Sequence, residues 1–192
     1  MVRWEPDSPA RLMKAALALF AERGYEETTV AQIAERAGLT ERTFFRHFAD
    51  KREVLFPDNH AFEGAITGAV AAAPSDAAPL DAVAAGFGDA AEFLDGRRSF
   101  SRRRAAIIEV NPELRERELA KLDALTSEIA DTLRARGVDG TTAHLTAETG
   151  MAVFRVAFAR WTKGDGEATL AELLRDSFAQ LRAVAATAIS SR

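Results

Sequence analysis

The chain has 192 residues, of which 47% are hydrophobic and 28% are charged, and this apolar content excludes a wholly disordered protein. It contains no cysteine, which excludes disulfide scaffolds, thiolate zinc sites, iron–sulfur clusters and cysteine nucleophiles. No stretch approaches the roughly 20 apolar residues that span a bilayer, and the first residues lack the pattern of a signal peptide. We therefore expect a soluble, cytoplasmic protein without a membrane partner.

Segments rich in alanine, leucine, glutamate and arginine recur with helical periodicity, and prolines and glycines fall between them. This pattern predicts an all-α protein. The first helix is expected to begin with Ser8 as N-cap and Pro9 in its first turn, and to end before Gly24. Its apolar residues have the spacing of one helix face: Leu12, Ala15, Ala16, Leu19 and Phe20.

Residues 29–48 have the pattern of two short helices joined by a glycine turn. Thr29 opens a capping box, Gly38 ends the first helix, and Thr40 caps a second helix over 41–48. This arrangement fits a helix-turn-helix, in which two helices cross at a steep angle. Ordinary helical hairpins have the same spacing, so the spacing alone leaves both interpretations open.

The fourth helix is predicted to begin at Lys51, because Asp50 and Glu53 form another capping box. Pro57 falls within this helix, where it removes a backbone donor and is expected to kink it and to act as a hinge. Prolines and glycines mark the boundaries of the later helices, which are predicted at 80–95, 99–110, 112–136, 141–162 and 167–188.

Basic and hydroxyl side chains distinguish the second helix of the pair from an ordinary hairpin. They lie off its apolar face or directly follow it: Arg42, Thr43, Arg46, His47, Lys51 and Arg52. Arginine can bond guanine through two hydrogen bonds, threonine can contact a thymine methyl, and lysine can bind phosphate. The net charge of the chain is −4, but four cations against Asp50 leave residues 42–52 locally positive. This local charge favours DNA binding.

A series of motifs runs in order through residues 11–56. They are Leu19-Phe20, Gly24-Tyr25, Thr28-Thr29-Val30, Ile33-Ala34, Ala37-Gly38-Leu39-Thr40, Thr43-Phe44-Phe45-Arg46-His47-Phe48 and Lys51. Together they resemble the N-terminal domain of TetR-family transcriptional regulators. The rest of the chain is similar to that family in its predicted helices and length.

The resemblance implies a DNA-binding regulator, most simply a repressor that binds a palindromic operator as a dimer and is released by a small, largely apolar effector. It implies a helix-turn-helix domain at 1–50 and an effector-binding and dimerisation domain at 51–192, with 51–66 as a linker helix. An activator, or a helical ligand-binding protein without operator function, remains the alternative.

Site residues are implied by position in the same motifs. Thr40, Arg42, Thr43 and Arg46 would face bases or nearby phosphates, and the DNA backbone would be held by Thr29, His47 and Lys51. Phe45 stands where the family usually has a tyrosine that contacts phosphate. Phe45 cannot donate that hydrogen bond, so we expect it to make apolar contact with a sugar or a thymine methyl.

Apolar side chains of the later helices are candidates for the effector pocket: Phe62, Phe87, Phe93, Met151, Phe154 and Phe158. Most apolar residues at helical spacing form core, and that interpretation stays open for each of them. The helices at 141–162 and 167–188 are predicted to form a four-helix bundle in a homodimer, with Leu174 and Phe178 at the interface.

We expect no catalytic residues, no metal and no cofactor. His47, His60 and His144 lack the spacing of metal ligands. The string from Gly86 to Ala91 matches a dinucleotide-binding pattern but has no strand before it.

Five arginines fall within residues 97–104, at Arg97, Arg98, Arg102, Arg103 and Arg104. They fit either a basic helix flank that pairs with nearby acids or the rim of a pocket that recognises an anion. The sequence leaves both interpretations open.

Overall fold

The computed structural model describes residues 8–56 and 60–190, with the side chains of the last helix described up to residue 186. Within this part of the chain the secondary structure consists of nine α-helices and one short 3-10 helix, which confirms the predicted all-α class. The helices are α1 (Ser8–Arg23), α2 (Val30–Arg36), α3 (Glu41–His47), α4 (His60–Ala72), α5 (Pro79–Asp95), α6 (Arg98–Val110), α7 (Pro112–Ala135), α8 (Gly140–Lys163) and α9 (Leu170–Ser190). Among the described residues, no helix combines the length and the hydropathy of a membrane-spanning segment.

The chain divides into two compact units. The first comprises Met1–Asn59 with Arg103–Glu118, and the second comprises His60–Arg102 with Leu119–Arg192. Helices α6 and α7 therefore each contribute residues to both units. The sequence carried no signal for the contribution of Arg103–Glu118 to the first unit.

The core of the first unit contains the predicted apolar face of α1. Leu12, Ala16 and Phe20 are buried, as are the other two residues of that face. Phe20 also meets Tyr25 edge to face, with 5.2 Å between the ring centroids. The predicted periodicity of α1 is confirmed.

The predicted helix start at Lys51 is wrong for residues 51–56. Lys51 and Arg52 form a turn, and a 3-10 helix follows at Glu53–Leu55. Asp50 Oδ1 accepts hydrogen bonds from the backbone N–H of Arg52 and Glu53, at 2.8 and 3.1 Å, and closes the turn. The next three residues, 54–56, are all buried, whereas one α-helix face cannot bury three consecutive side chains.

The first α-helix after this turn is α4, which begins at His60 in the described part of the chain. Pro57, the predicted hinge, lies outside the described residues.

The second unit has one apolar core formed by α4, α5, α7, α8 and α9. Gly86 of α5 allows this helix to approach α4 closely, because a Cβ at residue 86 would lie 2.8 Å from the carbonyl oxygen of Ile66. The dinucleotide-like string that starts at Gly86 lies inside α5. Close helix packing therefore accounts for that glycine.

Candidate DNA-binding surface

The turn between α2 and α3 is closed by backbone hydrogen bonds around Gly38. Gly38 has a φ of +65°, a conformation that favours glycine. Its N–H donates to Glu35 O at 2.9 Å, and the N–H of Leu39 donates to Ala34 O at 2.8 Å, which is a Schellman motif. Arg11 of α1 also donates to Ala37 O at 2.6 Å. These contacts hold the start of α3 against α1 and α2.

Helix α3 has a buried side and an exposed side. Phe44 is completely buried, and Phe48, which directly follows the helix, is also buried. The opposite side exposes Arg42, Phe45 and Arg46, with Phe45 54% exposed. We call seven residues the candidate DNA-binding surface, namely the N-caps of α2 and α3 and the residues of α3 that lie off its buried side: Thr29, Thr40, Arg42, Thr43, Phe45, Arg46 and His47.

The three threonines of this surface make hydrogen bonds within the protein that leave hydroxyl protons available as donors. Thr29 accepts a hydrogen bond from the N–H of Gln32 at 3.3 Å in the predicted capping box. Thr40 accepts from the N–H of Thr43 at 3.2 Å, and the two hydroxyl oxygens are 3.0 Å apart. A hydroxyl that accepts from the backbone retains its own proton, so Thr29 can still donate to a phosphate or a base. Between Thr40 and Thr43 one hydroxyl proton is used in their mutual hydrogen bond, and the other remains.

The two arginines of α3 are not engaged in ion pairs. Arg42 has no side-chain hydrogen bond or ion pair with any other residue that the structure describes, and Arg46 has one long contact of 3.4 Å, to Nε2 of His47. Both guanidinium groups are exposed and therefore available to a guanine edge or to phosphate.

Lys51 has a structural role that sequence reasoning missed. Its ammonium group donates to the carbonyl oxygen of Tyr25 at 2.8 Å and to that of Glu26 at 3.4 Å. It also lies 4.1 Å from the centroid of the Tyr25 ring. Since an ammonium group has three N–H donors, one remains for the predicted phosphate contact.

Arg52, the other cation after α3, is paired with Asp50. Its Nη2 lies 2.7 Å from Oδ2 of Asp50, and this hydrogen bond with Arg52 is the main reason that the pKa of the Asp50 carboxyl is lowered. The charges of Arg52 and Asp50 cancel. The positive charge of residues 42–52 is therefore carried by Arg42, Arg46 and Lys51.

Aromatic side chains of α4, α5 and α8 contact one another in the second unit. Phe154 lies at the centre, with ring centroids 5.2 Å from Phe87, 5.6 Å from Phe158 and 5.9 Å from Phe62. Trp161 continues the series 5.7 Å from Phe158. We call these five residues the aromatic cluster. Their rings contact one another, so they form part of the core.

The two remaining candidates for the effector pocket, Met151 and Phe93, differ in burial. Met151 is completely buried in the same core as the aromatic cluster. Phe93 is 51% exposed and has no ring contact in the described part of the chain. The structure thus brings five of the six predicted pocket residues into one core and leaves Phe93 on the surface.

The arginines at 97–104 have separate partners. Arg98 donates to the carbonyl oxygens of residues 161, 164 and 166, at 3.0, 2.9 and 2.5 Å. Arg102 pairs with the exposed carboxylate of Asp165 at 3.1 Å. Arg104 donates to Leu55 O at 2.6 Å and pairs with Glu118 at 2.9 Å. The contacts of Arg102 and Arg104 favour the basic-flank interpretation, in which the arginines pair with acids, whereas Arg98 binds carbonyl oxygens.

A helix-turn-helix whose second helix exposes two unpaired arginines is the arrangement expected of a DNA-binding regulator, and two family models match such regulators. The model of the TetR family of bacterial regulatory proteins matches residues 12–56. The model of the MftR C-terminal domain matches residues 77–186, more than half of the chain. The chain therefore belongs to the TetR family, which confirms the resemblance found in residues 11–56. The family consists of transcriptional regulators rather than enzymes.

Two curated relatives show how far the similarity extends. The HTH-type transcriptional regulator TcmR of Streptomyces glaucescens is 35% identical over 138 residues, which are 67% of this chain and 60% of TcmR. MftR of Mycobacterium tuberculosis is 26% identical over 174 residues, which are 89% of this chain and 87% of MftR. The match to TcmR thus leaves about two fifths of that relative uncovered.

A solved structure shares the fold. FadR of Thermus thermophilus, a TetR-family transcriptional repressor in complex with lauroyl-CoA, superposes with a TM-score of 0.57. The alignment covers 90% of this chain and 92% of FadR, at 23% sequence identity. This likeness shows the common helical fold.

Proposed function

We propose that this protein is a transcriptional repressor that binds a palindromic operator as a dimer and is released by a small, largely apolar effector. It would act on DNA in the cytoplasm. The observation that carries the proposal is the two-sided α3, which is anchored by buried Phe44 and exposes Arg42 and Arg46 without ion pairs. A helix of this kind fits the major groove, where two hydrogen bonds from one arginine identify guanine.

The test begins with an operator selected by the full-length protein from a random DNA library. Fluorescence anisotropy with this operator should show an affinity that falls steeply with salt. If Arg46 and Lys51 of both subunits meet phosphates, the slope of log affinity against log salt approaches about −4. A slope near zero would contradict the electrostatic part of the proposal.

Single substitutions separate base contacts from backbone contacts. Arg42→Ala should weaken the selected operator about tenfold or more and relax the preference at one base pair, because a bidentate pair contributes roughly 1–3 kcal/mol. Arg97→Ala, an exposed arginine between α5 and α6, is the matched control and should leave affinity unchanged. Equal effects of the two substitutions would argue against α3 as the reading helix.

The regulatory sign is tested by a reporter placed behind the selected operator. If the protein is a repressor, deletion of its gene raises expression of the reporter. If it is an activator, the same deletion lowers expression of the reporter. A protein that selects no DNA sequence above background would fit the alternative of a helical ligand-binding protein without operator function.

We propose that the dimer forms through the exposed faces of α8 and α9. On α8, Leu145 and Val156 are 61% and 54% exposed, and the exposed small residues Ala152 and Ala159 lie on the same face. The exposed face of α9 includes Ala179, Ala183 and Ala186. Small and apolar side chains on two neighbouring helices suit a self-complementary four-helix bundle.

The residues expected to hold the dimer need correction. Leu174 and Phe178 are 1% and 2% exposed within a single chain, so they pack in the core of the subunit and cannot meet a partner. Val156→Glu is therefore the substitution that tests the interface. Sedimentation should show dissociation for this variant, while Leu119→Glu, an exposed leucine on α7, should remain dimeric. A dimeric Val156→Glu variant would contradict the proposed face.

We propose that the effector binds where the aromatic cluster now closes the core, by separating α4, α5 and α8. Apolar compounds can be screened for release of the selected operator. Hits should lose about tenfold or more in potency with Phe158→Ala, since small-molecule sites are lined largely by aromatic and apolar side chains. Phe93→Ala is the control, because Phe93 lies outside the cluster. Unchanged potency in Phe158→Ala would place the effector elsewhere.

A further inference from the structure

Two arginines far along the chain bind the turn that follows α3. The turn comprises residues 51–56 and includes Lys51, which is predicted to contact phosphate. Arg104 of α6 and Arg117 of α7 bind this turn at two different points. We call these two side chains the arginine clasp. The clasp, the turn and α3 all belong to the first unit.

Arg104 makes three contacts at the end of the turn. Its Nε donates to the carbonyl oxygen of Leu55 at 2.6 Å, and its Nη1 lies 2.9 Å from Oε1 of Glu118. The guanidinium carbon lies 4.9 Å from the centroid of the Phe56 ring. Because the guanidinium group is planar and its N–H groups have fixed directions, these contacts together restrain Leu55 and Phe56.

Arg117 binds the start of the same turn. Its Nε donates to a carboxylate oxygen of Glu53, the first residue of the 3-10 helix. The turn is also bonded internally, since the N–H of Leu55 donates to the carbonyl oxygen of Arg52 at 3.1 Å. A segment bonded in this way responds as one unit, so the clasp also restrains the backbone of Lys51.

The remaining restraint on Lys51 comes from its own side chain. The ammonium group is bound by the carbonyl oxygens of Tyr25 and Glu26, in the segment between α1 and α2. These two acceptors leave one N–H donor for a phosphate. The direction of that donor depends on where the turn places Lys51, and therefore on the clasp.

Stability alone is a poor explanation for Arg104. Residues 54–56 are buried apolar side chains that already anchor the turn. The Arg104 side chain is only 17% exposed, and desolvation of such a charge offsets much of what its ion pair contributes. The same desolvation lowers the pKa of the Arg104 guanidinium. Directional contacts from a costly charge favour a role in placing the turn.

We propose that Arg104 and Arg117 are positioning residues for DNA binding, because they fix the turn from which Lys51 reaches a phosphate. The phosphate contact itself rests on the proposed function. The addition is that affinity for DNA depends on residues of α6 and α7, which act through Lys51.

The first measurement is the salt dependence of operator binding by full-length Arg104→Met and Arg117→Met. Each should weaken binding about tenfold and change the slope of log affinity against log salt by about 2, toward zero, because Lys51 of both subunits loses its phosphate. Arg103→Met and Arg115→Met, which remove neighbouring exposed arginines of the same helices, are the matched controls and should change neither value. Equal effects in clasp variants and controls would overturn the proposal.

A variant of Lys51 tests whether the clasp acts through this residue. When Lys51→Met is already present, adding Arg104→Met or Arg117→Met should weaken operator binding by less than about twofold. A purely structural role predicts that the losses add. Additive losses would therefore overturn the proposal.

The last measurement does not involve DNA. Reductive methylation with formaldehyde, followed by mass spectrometry, reports the accessibility of each lysine. Both clasp variants should raise the methylation rate of Lys51 about threefold or more relative to Lys14, an exposed lysine of α1, because the ammonium group loses hydrogen bonds. Urea unfolding first establishes that each variant is folded; Arg117, whose side chain is 39% exposed, is the milder site if Arg104→Met does not fold.

The two kinds of measurement separate this proposal from the proposed function. Unchanged Lys51 methylation in the folded clasp variants would overturn the clasp, even if the native protein binds its operator. A raised rate in a protein that selects no DNA sequence would support the placement of Lys51 by the clasp and refute the proposed function.

Discussion

Replacing Arg98 with methionine removes the guanidinium group that closes the C-terminal end of α8. In the native protein this group donates to three carbonyl oxygens, at residues 161, 164 and 166, and lies 5.9 Å from the Trp161 ring. Methionine retains the aliphatic bulk but has no donor. The carbonyl groups at the end of the helix then depend on water alone.

The magnitude follows from these contacts. Hydrogen bonds to a charged group contribute about 1.5–3 kcal/mol each when buried, and a cation at a helix C-terminus adds about 0.3–1 kcal/mol. Arg98 is half-buried, so water replaces part of what is lost, and the three bonds are not additive. We expect Arg98→Met to lower the free energy of unfolding by about 2–4 kcal/mol.

The assay is thermal and urea unfolding at one fixed protein concentration, since a dimer makes Tm concentration-dependent. For a chain of this size the expected loss lowers Tm by roughly 5–15 °C. Arg97→Met is the matched control, because Arg97 is exposed and its side chain has no partner in the described part of the chain. It should change stability by less than about 0.5 kcal/mol. Equal, small effects of both substitutions would refute the role assigned to Arg98.

Further predictions concern three other sites. Lys51→Met should lower the free energy of unfolding by about 1–2 kcal/mol as well as operator affinity, because the ammonium group binds the Tyr25 carbonyl; an affinity loss with unchanged urea unfolding would contradict this. Burial, and secondarily the carboxylate of Glu113, raises the pKa of Tyr25 to about 12. Stability from that shift is present below about pH 10 and is lost as the pH rises from about 10 to 12. Tyr25 is the single tyrosine of the chain, so absorbance at 295 nm should titrate near pH 12 when folded and near pH 10 in denaturant; equal midpoints would refute the shift. Phe178→Glu should cost about 3–5 kcal/mol in urea unfolding and unfold the subunit, and a folded monomer would instead support an interface role.

The helix-turn-helix could be predicted because its signals are local. The capping box at Thr29, the turn at Gly38 and the cap at Thr40 depend on residues within a few positions of one another. The apolar periodicity of α1 is local in the same sense. The exposed candidates on α3 follow directly from this, because burial of Phe44 fixes which side faces outward.

For the candidate effector and dimer residues, the sequence did not separate core residues from residues that face a ligand or a partner. Helical spacing alone predicts the same buried position for Phe93, Phe154 and Phe178. The structure leaves Phe93 on the surface and buries the other two. Whether an apolar residue faces the core, a ligand or a partner depends on which helices pack against it, and spacing along one helix does not contain that information.

The sequence by itself determined the all-α class, the caps and turn that build α2 and α3, and the family. The tertiary structure decided what several charged residues do. Lys51 binds a carbonyl 26 residues away, and Arg98 binds one 63 residues away. The turn at residues 51–56 replaces the expected helix because three consecutive side chains enter the core. Caps and periodicity act over a few residues, whereas these partners are brought together only when distant helices pack.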